Sequence, residues 1–267
     1  MRPDSGMRRS ARSIRVSGVM RSYLLAEPAG TATGVVLSLH GSRSSADRQA
    51  WLSGLAGLAE TAGAVAAFPE AHLRLGAGYR WDLDGDLEFL AALVHELAER
   101  HQPPSGRVAI TGMSGGARMS CRFAAAHAVM VSMVGAVGGV RAPVERPARP
   151  VPVLAFHGTA DRINPYPGSG TGRWVESVPD AVRGWAEANG HPGPPTVVQR
   201  SPALTRTTYG EVGCPGEVTL WTSRGAGHTW PGRRMGLLLR PFLGRTSQEI
   251  DASREIWSFD RAHAADS

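Results

Sequence analysis

The sequence predicts one α/β domain, a mainly parallel central sheet with helices on both faces, and three observations carry that expectation. Apolar runs bounded by Gly and Pro alternate with segments of helical period, the pattern of β-α-β units. Most of the runs are short and apolar enough to be buried on both faces, as parallel strands are. The chain has 267 residues, 42% hydrophobic and 19% charged, which suits a single packed core and neither a disordered nor a membrane composition.

Taken in order, Arg12 to Glu27 reads as an antiparallel pair at the sheet edge, because Ile14, Val16, Val19, Tyr23 and Leu25 give an interrupted alternation. Val35 to Leu39, Ala64 to Phe68, Val108 to Thr111, Met130 to Val137, Val153 to Phe156 and Val218 to Thr222 read as strands. Asp47 to Glu60, Asp86 to His101, Gly116 to His127, Pro179 to Asn189 and Gln248 to His263 read as helices. Asp47 and Asp86 are candidate caps for first-turn amides, and Pro179 suits a helix start. No internal repeat is present. Residues 1–11 read as a disordered extension and 12–267 as the one domain. Gly139 to Pro150 is rich in Pro and Arg and too short for a helical cap, so a site at the C-terminal edge of the sheet is expected to be open to solvent.

Charge and cysteine content narrow the function classes. The formal charge is +6, yet all 29 basic residues are Arg, spread from Arg2 to Arg261 without a dense block beyond the N-terminus, so nucleic acid is not expected as a partner. No apolar stretch approaches the ~20 residues of a membrane helix, so no membrane association is expected. Met1 to Arg15 lacks the apolar run of a signal peptide, which reads as a cytoplasmic chain as written and a secreted one if a leader lies upstream. Cys121 and Cys214 leave open a single bridge or two free thiols. The His residues lack metal-binding spacing and no phosphate-binding loop with its Lys occurs, so neither metal nor cofactor is expected. The oligomeric state is not legible.

The chemistry concentrates at Gly112, Met113, Ser114, Gly115 and Gly116, a Gly-x-Ser-x-Gly pattern between an apolar strand and a helical run. In that context the serine sits in a strained turn, and small neighbours let strand and helix approach. A serine hydroxyl needs a base in hydrogen-bond reach and a third group to orient the base. Asp161 follows the strand Val153 to Phe156 through His157, Gly158 and Thr159, and His228 follows Val218 to Thr222 through Gly225, Ala226 and Gly227, so both fall at the same sheet edge as Ser114. Competitors are not scarce among 9 His and 23 acidic residues. His95 and His101 fall on a helix and read as surface groups, His127 and His263 near helix ends, and His191 in a Pro/Gly loop; His40 and His157 end strands and read as loop-organising residues. An oxyanion needs preorganised donors, and the expected pair is the backbone N–H of Gly115 and that of Ser42, in the loop after Val35 to Leu39.

These residues resemble the polyhydroxybutyrate depolymerase-like esterases, a group of the α/β-hydrolase superfamily that includes feruloyl and acetylxylan esterases. The matching stretches are Leu39 to Ser42 (LHGS), Gly112 to Ser120 (GMSGGARMS), His157 to Asp161 (HGTAD), Gly227 to Gly232 (GHTWPG) and Ile250 to Trp257 (IDASREIW). The resemblance implies the α/β-hydrolase fold without a cap domain and catalysis by Ser114, Asp161 and His228. It also implies aromatic residues beside the substrate, for which Trp81, Trp230 and Tyr166 are the candidates, core or rim packing being the alternative. Three departures limit it: His191 stands where members often have a Cys that pairs with a later one, no leader is visible, and no substrate-adsorbing domain follows.

The expected function is hydrolysis of carboxylic esters through an acyl-enzyme, on soluble hydroxyalkanoate oligomers or small esters. The alternatives are feruloyl or acetylxylan ester hydrolysis, the same triad working as a peptidase or thioesterase, and, in another class, a hydrolase-fold protein that binds without turnover.

Overall fold

The computed structural model describes residues 8–234 and 240–264. Its elements are β1 (Arg8–Val16), β2 (Val19–Glu27), β3 (Val35–Leu39), α1 (Ala46–Ser53), α2 (Leu55–Ala62), β4 (Val65–Pro69), β5 (Leu73–Leu75), β6 (Gly78–Arg80), α3 (Leu87–His101), β7 (Val108–Met113), α4 (Gly115–Ala126), β8 (Val131–Val137), β9 (Val153–Gly158), α5 (Val178–Ala188), β10 (Thr196–Ser201), β11 (Leu204–Tyr209), β12 (Val218–Ser223), α6 (Arg240–Leu243) and α7 (Ala252–Ala264). The ten strands of the main sheet lie in the order β1-β2-β4-β3-β7-β8-β9-β12-β11-β10. The stretch from β4 to β12 is parallel throughout, and an antiparallel hairpin is added at each edge.

Each central strand corresponds to an apolar run in the sequence, and its side chains alternate between two separate cores. Val35 and Leu37 of β3 enter one with Phe89, Phe123 and Trp185, so α3, α4 and α5 cover that face. Val36 enters the other with Phe68, Phe156 and Ile256, covered by α1, α2 and α7. Burying a side chain of this size stabilises the fold by about 1.5–3 kcal/mol. Among the described residues no helix is long and apolar enough to cross a membrane.

Several local expectations change. β1 begins at Arg8, inside the segment read as a disordered extension, because it pairs with β2 in register from Arg8 opposite Glu27 to Val16 opposite Val19; residues 1–7 lie outside the described residues. The helix expected over Asp47 to Glu60 is broken at Gly54, whose φ of 65° ends α1 with its N–H on the Ala50 carbonyl. The cap of α1 is Ser45, whose hydroxyl accepts from the Arg48 amide at 3.4 Å, not Asp47. Asp86 precedes α3 without capping it: its carboxylate takes the Arg21 guanidinium at 2.6 Å and the Asp82 amide at 2.9 Å. Pro179 does lie in the first turn of α5, behind a Ser177 cap.

A buried polar cluster ties α7 to the N-terminal ends of β8 and β12, on the side of the sheet away from the serine motif. The Ser132 hydroxyl donates to Asp260 Oδ1 at 2.6 Å, and His263 Nε2 lies 3.4 Å from Glu217 Oε2. Burial pushes the Asp260 carboxyl up to about 6, against the opposing pull of the Ser132 hydroxyl and His263. Burial also acts upward on Glu217, but hydrogen bonds from His263, the Gly213 amide and the Thr219 hydroxyl outweigh it and hold that carboxyl at about 2. Asp260 therefore binds its proton more tightly folded than unfolded, so its contribution is full below 3.8 and is lost as pH rises through about 6. Glu217 acts oppositely, its contribution being present above 4.5 and lost as pH falls through about 2. Asp260→Asn keeps an acceptor for Ser132 and removes the first effect. Its stability relative to the parent is expected to rise between pH 4 and pH 7 by up to about 3 kcal/mol, read from denaturant midpoints across that range; a pH-independent difference contradicts the assignment.

Candidate active site

The turn between β7 and α4 places Ser114 at φ 56° and ψ −114°, a conformation that an L-residue holds only under constraint. The constraint is visible in its glycines. A Cβ on Gly116 would stand 2.1 Å from the Leu39 carbonyl oxygen, and one on Gly112 would stand 2.5 Å from the Gly116 carbonyl carbon. Both neighbours are backbone and cannot rotate away. Gly116→Ala is expected to destabilise the protein by about 3 kcal/mol, measured by urea unfolding, because α4 would have to move off β3. A loss under about 1 kcal/mol would show that the turn is looser than drawn.

Asp161 stands in the turn after β9, 5% exposed. Its Oδ1 accepts the amides of Ile163 at 2.9 Å and Asn164 at 2.8 Å, and its Oδ2 lies 2.7 Å from His228 Nδ1. His157 Nε2 is 2.9 Å from the Asn164 carbonyl oxygen and 3.4 Å from Asp161 Oδ2. Both of those neighbours are acceptors, so that nitrogen carries the proton. Burial pushes the Asp161 carboxyl up, but the hydrogen bonds from His157 and His228, the imidazole charge and the Asn164 amide together hold it well below the usual carboxylate range.

His228 reaches the acid because its loop lies close against the acid turn. The Ala160 amide donates to the Ala226 carbonyl at 2.9 Å. A Cβ on Gly158 would come within 2.2 Å of that same oxygen. Gly138 adopts φ 60° and would bring a Cβ to 3.3 Å from Nδ1 and Cε1 of the His228 ring.

The loop after β3 carries Ser42. A Cβ on Gly115 would lie 2.6 Å from the Ser42 hydroxyl oxygen and 3.3 Å from its amide nitrogen, so this loop and the serine turn are in close contact. The loop is braced from behind. His40 Nδ1 donates to the Gly41 carbonyl at 2.8 Å, and Trp81 Nε1 donates to the His40 carbonyl at 2.8 Å. The β5–β6 hairpin completes the brace, with Arg43 N–H donating to Tyr79 O at 2.8 Å and Tyr79 N–H to Ser44 O at 3.0 Å. His40 and His157 thus both make loop-organising hydrogen bonds. Ser114, Gly115, Ser42 and His228 all line one cavity of about 520 Å³, with Asp161 directly behind the imidazole.

Among solved structures, the acetyl xylan esterase from Aspergillus awamori matches with a TM-score of 0.66 at 16% identity, over 82% of this chain and 94% of that one. The Bacillus cereus carboxylesterase matches with a TM-score of 0.60 at 14% identity, over 92% and 96%. An S-formylglutathione hydrolase from Agrobacterium tumefaciens matches with a TM-score of 0.59 at 12% identity, over 97% and 96%. The fold is that of the α/β hydrolases. No family model matches the chain. A Nocardia uniformis subsp. tsuyamanensis protein named "Putative esterase NocK" is 29% identical over 86% of this chain and 76% of its own length.

Within this α/β-hydrolase frame the expected substrate-side aromatics are redistributed. Trp81 does not line the cavity; it is 5% exposed and packs on the His40 ring at 5.1 Å, bracing the loop after β3 from inside the core. Trp230 borders the cavity yet is fully buried, its indole N–H donating to Ser253 Oγ at 2.9 Å. Tyr166 stands behind the acid turn, its hydroxyl 3.0 Å from Thr222 Oγ1 and its ring edge-on to His157 at 5.9 Å. The aromatic side chain that does form a wall is Trp174, which the sequence did not single out, with Arg141 3.7 Å and Arg118 5.7 Å from its ring centre. A Trp in a Gly-rich loop was its only signal. Walls also come from Ile163 and from Leu243 of α6, so the mouth is shaped by loops although residues 139–150 form no cap.

Cys121 and Cys214 are free thiols, Cys121 buried, and Cys214 Sγ lies 3.6 Å from His191 Nε2. Among the described residues no group of three or more His, Cys, Asp or Glu is gathered as a metal site.

Proposed function

We propose that the protein is a serine esterase that hydrolyses soluble carboxylic esters through an acyl-enzyme. The observation that carries this reading is the shared cavity of Ser114 and His228, with His228 Nδ1 at 2.7 Å from a buried carboxylate. A carboxylate at that distance fixes the imidazole with its proton on Nδ1, leaving Nε2 as a base. Ser114 Oγ attacks the ester carbonyl carbon and its proton passes to His228 Nε2. The carbonyl oxygen becomes an oxyanion within reach of the Gly115 and Ser42 amides. As the carbonyl re-forms, the alkoxide leaves with the proton from His228. Water, deprotonated by the same nitrogen, then attacks the acyl-serine and releases the acid.

A cavity of about 520 Å³ takes an ester with both an acyl and an alcohol part of moderate size. Soluble esters and short hydroxyalkanoate oligomers are the proposed substrates. The folded protein is expected to be labelled by a fluorophosphonate and Ser114→Ala is not; equal labelling of both removes the serine mechanism and leaves the non-catalytic reading. In an ester series, small esters and hydroxybutyrate oligomers are expected to exceed methyl ferulate and acetylated xylan in kcat/KM, and the reverse order transfers the function to the polysaccharide-ester reading.

A further inference from the structure

We infer that the preferred ester carries a free carboxylate, held at the cavity wall by the guanidinium groups of Arg118 and Arg43. The inference rests on the esterase reading above and narrows it to acid-bearing esters.

The two arginines come from the two segments that build the reaction centre. Arg118 lies one helical turn past Ser114 on α4, its N–H donating to the Ser114 carbonyl at 3.0 Å, and its side chain lines the cavity. Arg43 directly follows Ser42 and lines the cavity from the oxyanion loop. Its φ of 65° is a conformation that glycine or asparagine would adopt more easily, so a long basic side chain is kept where the backbone disfavours it. The β5–β6 hairpin pins that backbone through the Tyr79 hydrogen bonds, which fixes where the side chain departs.

The cavity around these cations carries no acid, its other walls being apolar and neutral polar side chains. The apolar part includes Leu52, Ile163, Trp174 and Leu243. Arg141, 3.7 Å from the Trp174 ring centre, has Glu176 at 3.8 Å to offset its charge, whereas among the described residues Arg43 makes no ion pair. Arginines continue past α6. Leu243 faces the catalytic cavity, and the next residue, Gly244, borders a second cavity lined by Arg233, Arg234, Arg240 and Arg245, again with no acid among the described residues. Such a field concentrates anions at the mouth, and a guanidinium pairs a carboxylate through parallel hydrogen bonds that a neutral ester cannot return. Hydrocarbon flanked by one anionic group is the ligand that matches both the walls and the charge.

The test uses two matched ester pairs. Mono-p-nitrophenyl glutarate against its methyl ester puts the carboxylate on the acyl side, and 4-acetoxybenzoate against its methyl ester puts it on the alcohol side. In one pair the anion is expected to be favoured at least about tenfold in kcat/KM at low salt, with the preference shrinking at high salt. Arg118→Gln and Arg43→Gln are each expected to lower that ratio, chiefly by raising KM for the anion, and Arg118→Lys to restore part of it. Arg43→Gln, at an exposed loop position, keeps the test open if Arg118→Gln fails to fold. Ratios at or below one in both pairs, or a preference indifferent to both Gln variants, overturn the inference. If the neutral esters are still hydrolysed and Ser114 is still labelled, the esterase reading stands without it; no turnover and no labelling removes the esterase reading itself.

Discussion

Ser114→Ala is expected to lower kcat on soluble esters by about a millionfold. The alanine takes away only a hydroxyl, from a side chain that is partly exposed to the cavity, so thermal stability is expected to stay close to that of the parent. The backbone of the turn is held by its glycines and by the Ser114 amide on the Val137 carbonyl at 2.9 Å, none of which the substitution touches. What survives is acceleration by oxyanion amides and substrate binding alone, about 10³–10⁴ over water. Kinetics on a p-nitrophenyl ester, with active-site titration of the parent, measures it. A variant retaining a tenth of the activity would show that another group attacks the ester.

Asp161→Asn is expected to cost about 10⁴ in kcat with little change in substrate affinity. An asparagine can keep its oxygen on the Ile163 and Asn164 amides, where Asp161 Oδ1 now accepts at 2.9 and 2.8 Å. Its NH₂ then takes the place of Oδ2 and points a donor at His228 Nδ1. The imidazole must turn that nitrogen into an acceptor and carry its proton on Nε2, the nitrogen that has to receive the proton of Ser114. The same NH₂ faces the N–H of His157, a donor against a donor, so some stability is lost too. Parent-like kcat in a folded Asn variant would mean that His228 is oriented by something other than Asp161.

The central strands were legible because each is a mainly apolar run, and burial on both faces leaves little freedom in what such a run can do. The β10–β11 hairpin was not. In β11 only Leu204 and Thr208 are buried, and β10 has no buried residue, so the apolar signal is absent at that edge. Ser114, Asp161 and His228 could be singled out because strand ends and Gly-rich turns mark the reacting edge of the sheet. The substrate wall could not be, since it is loop. Trp174 reaches the cavity from a segment with no periodicity, while Trp81 is drawn inward by the His40 carbonyl, a hydrogen bond no spacing rule encodes. Asp47 looked like a cap but stands one position inside a helix whose start is fixed by Ser45.

The crossover between β8 and β9 divides the machinery cleanly. On the function proposed above, the segments before it would supply the attacking hydroxyl and the oxyanion amides, and those after it the acid and the base. The crossover is exposed at Val144, Glu145 and Arg146 and carries no regular structure there, so it is a site where the chain can be cut with little lost packing. On that reading each fragment alone would hold an incomplete proton relay, and hydrolysis is expected to report β8 docking on β9. Cut there, the protein is expected to act as a split reporter, giving a signal only when its two halves find each other.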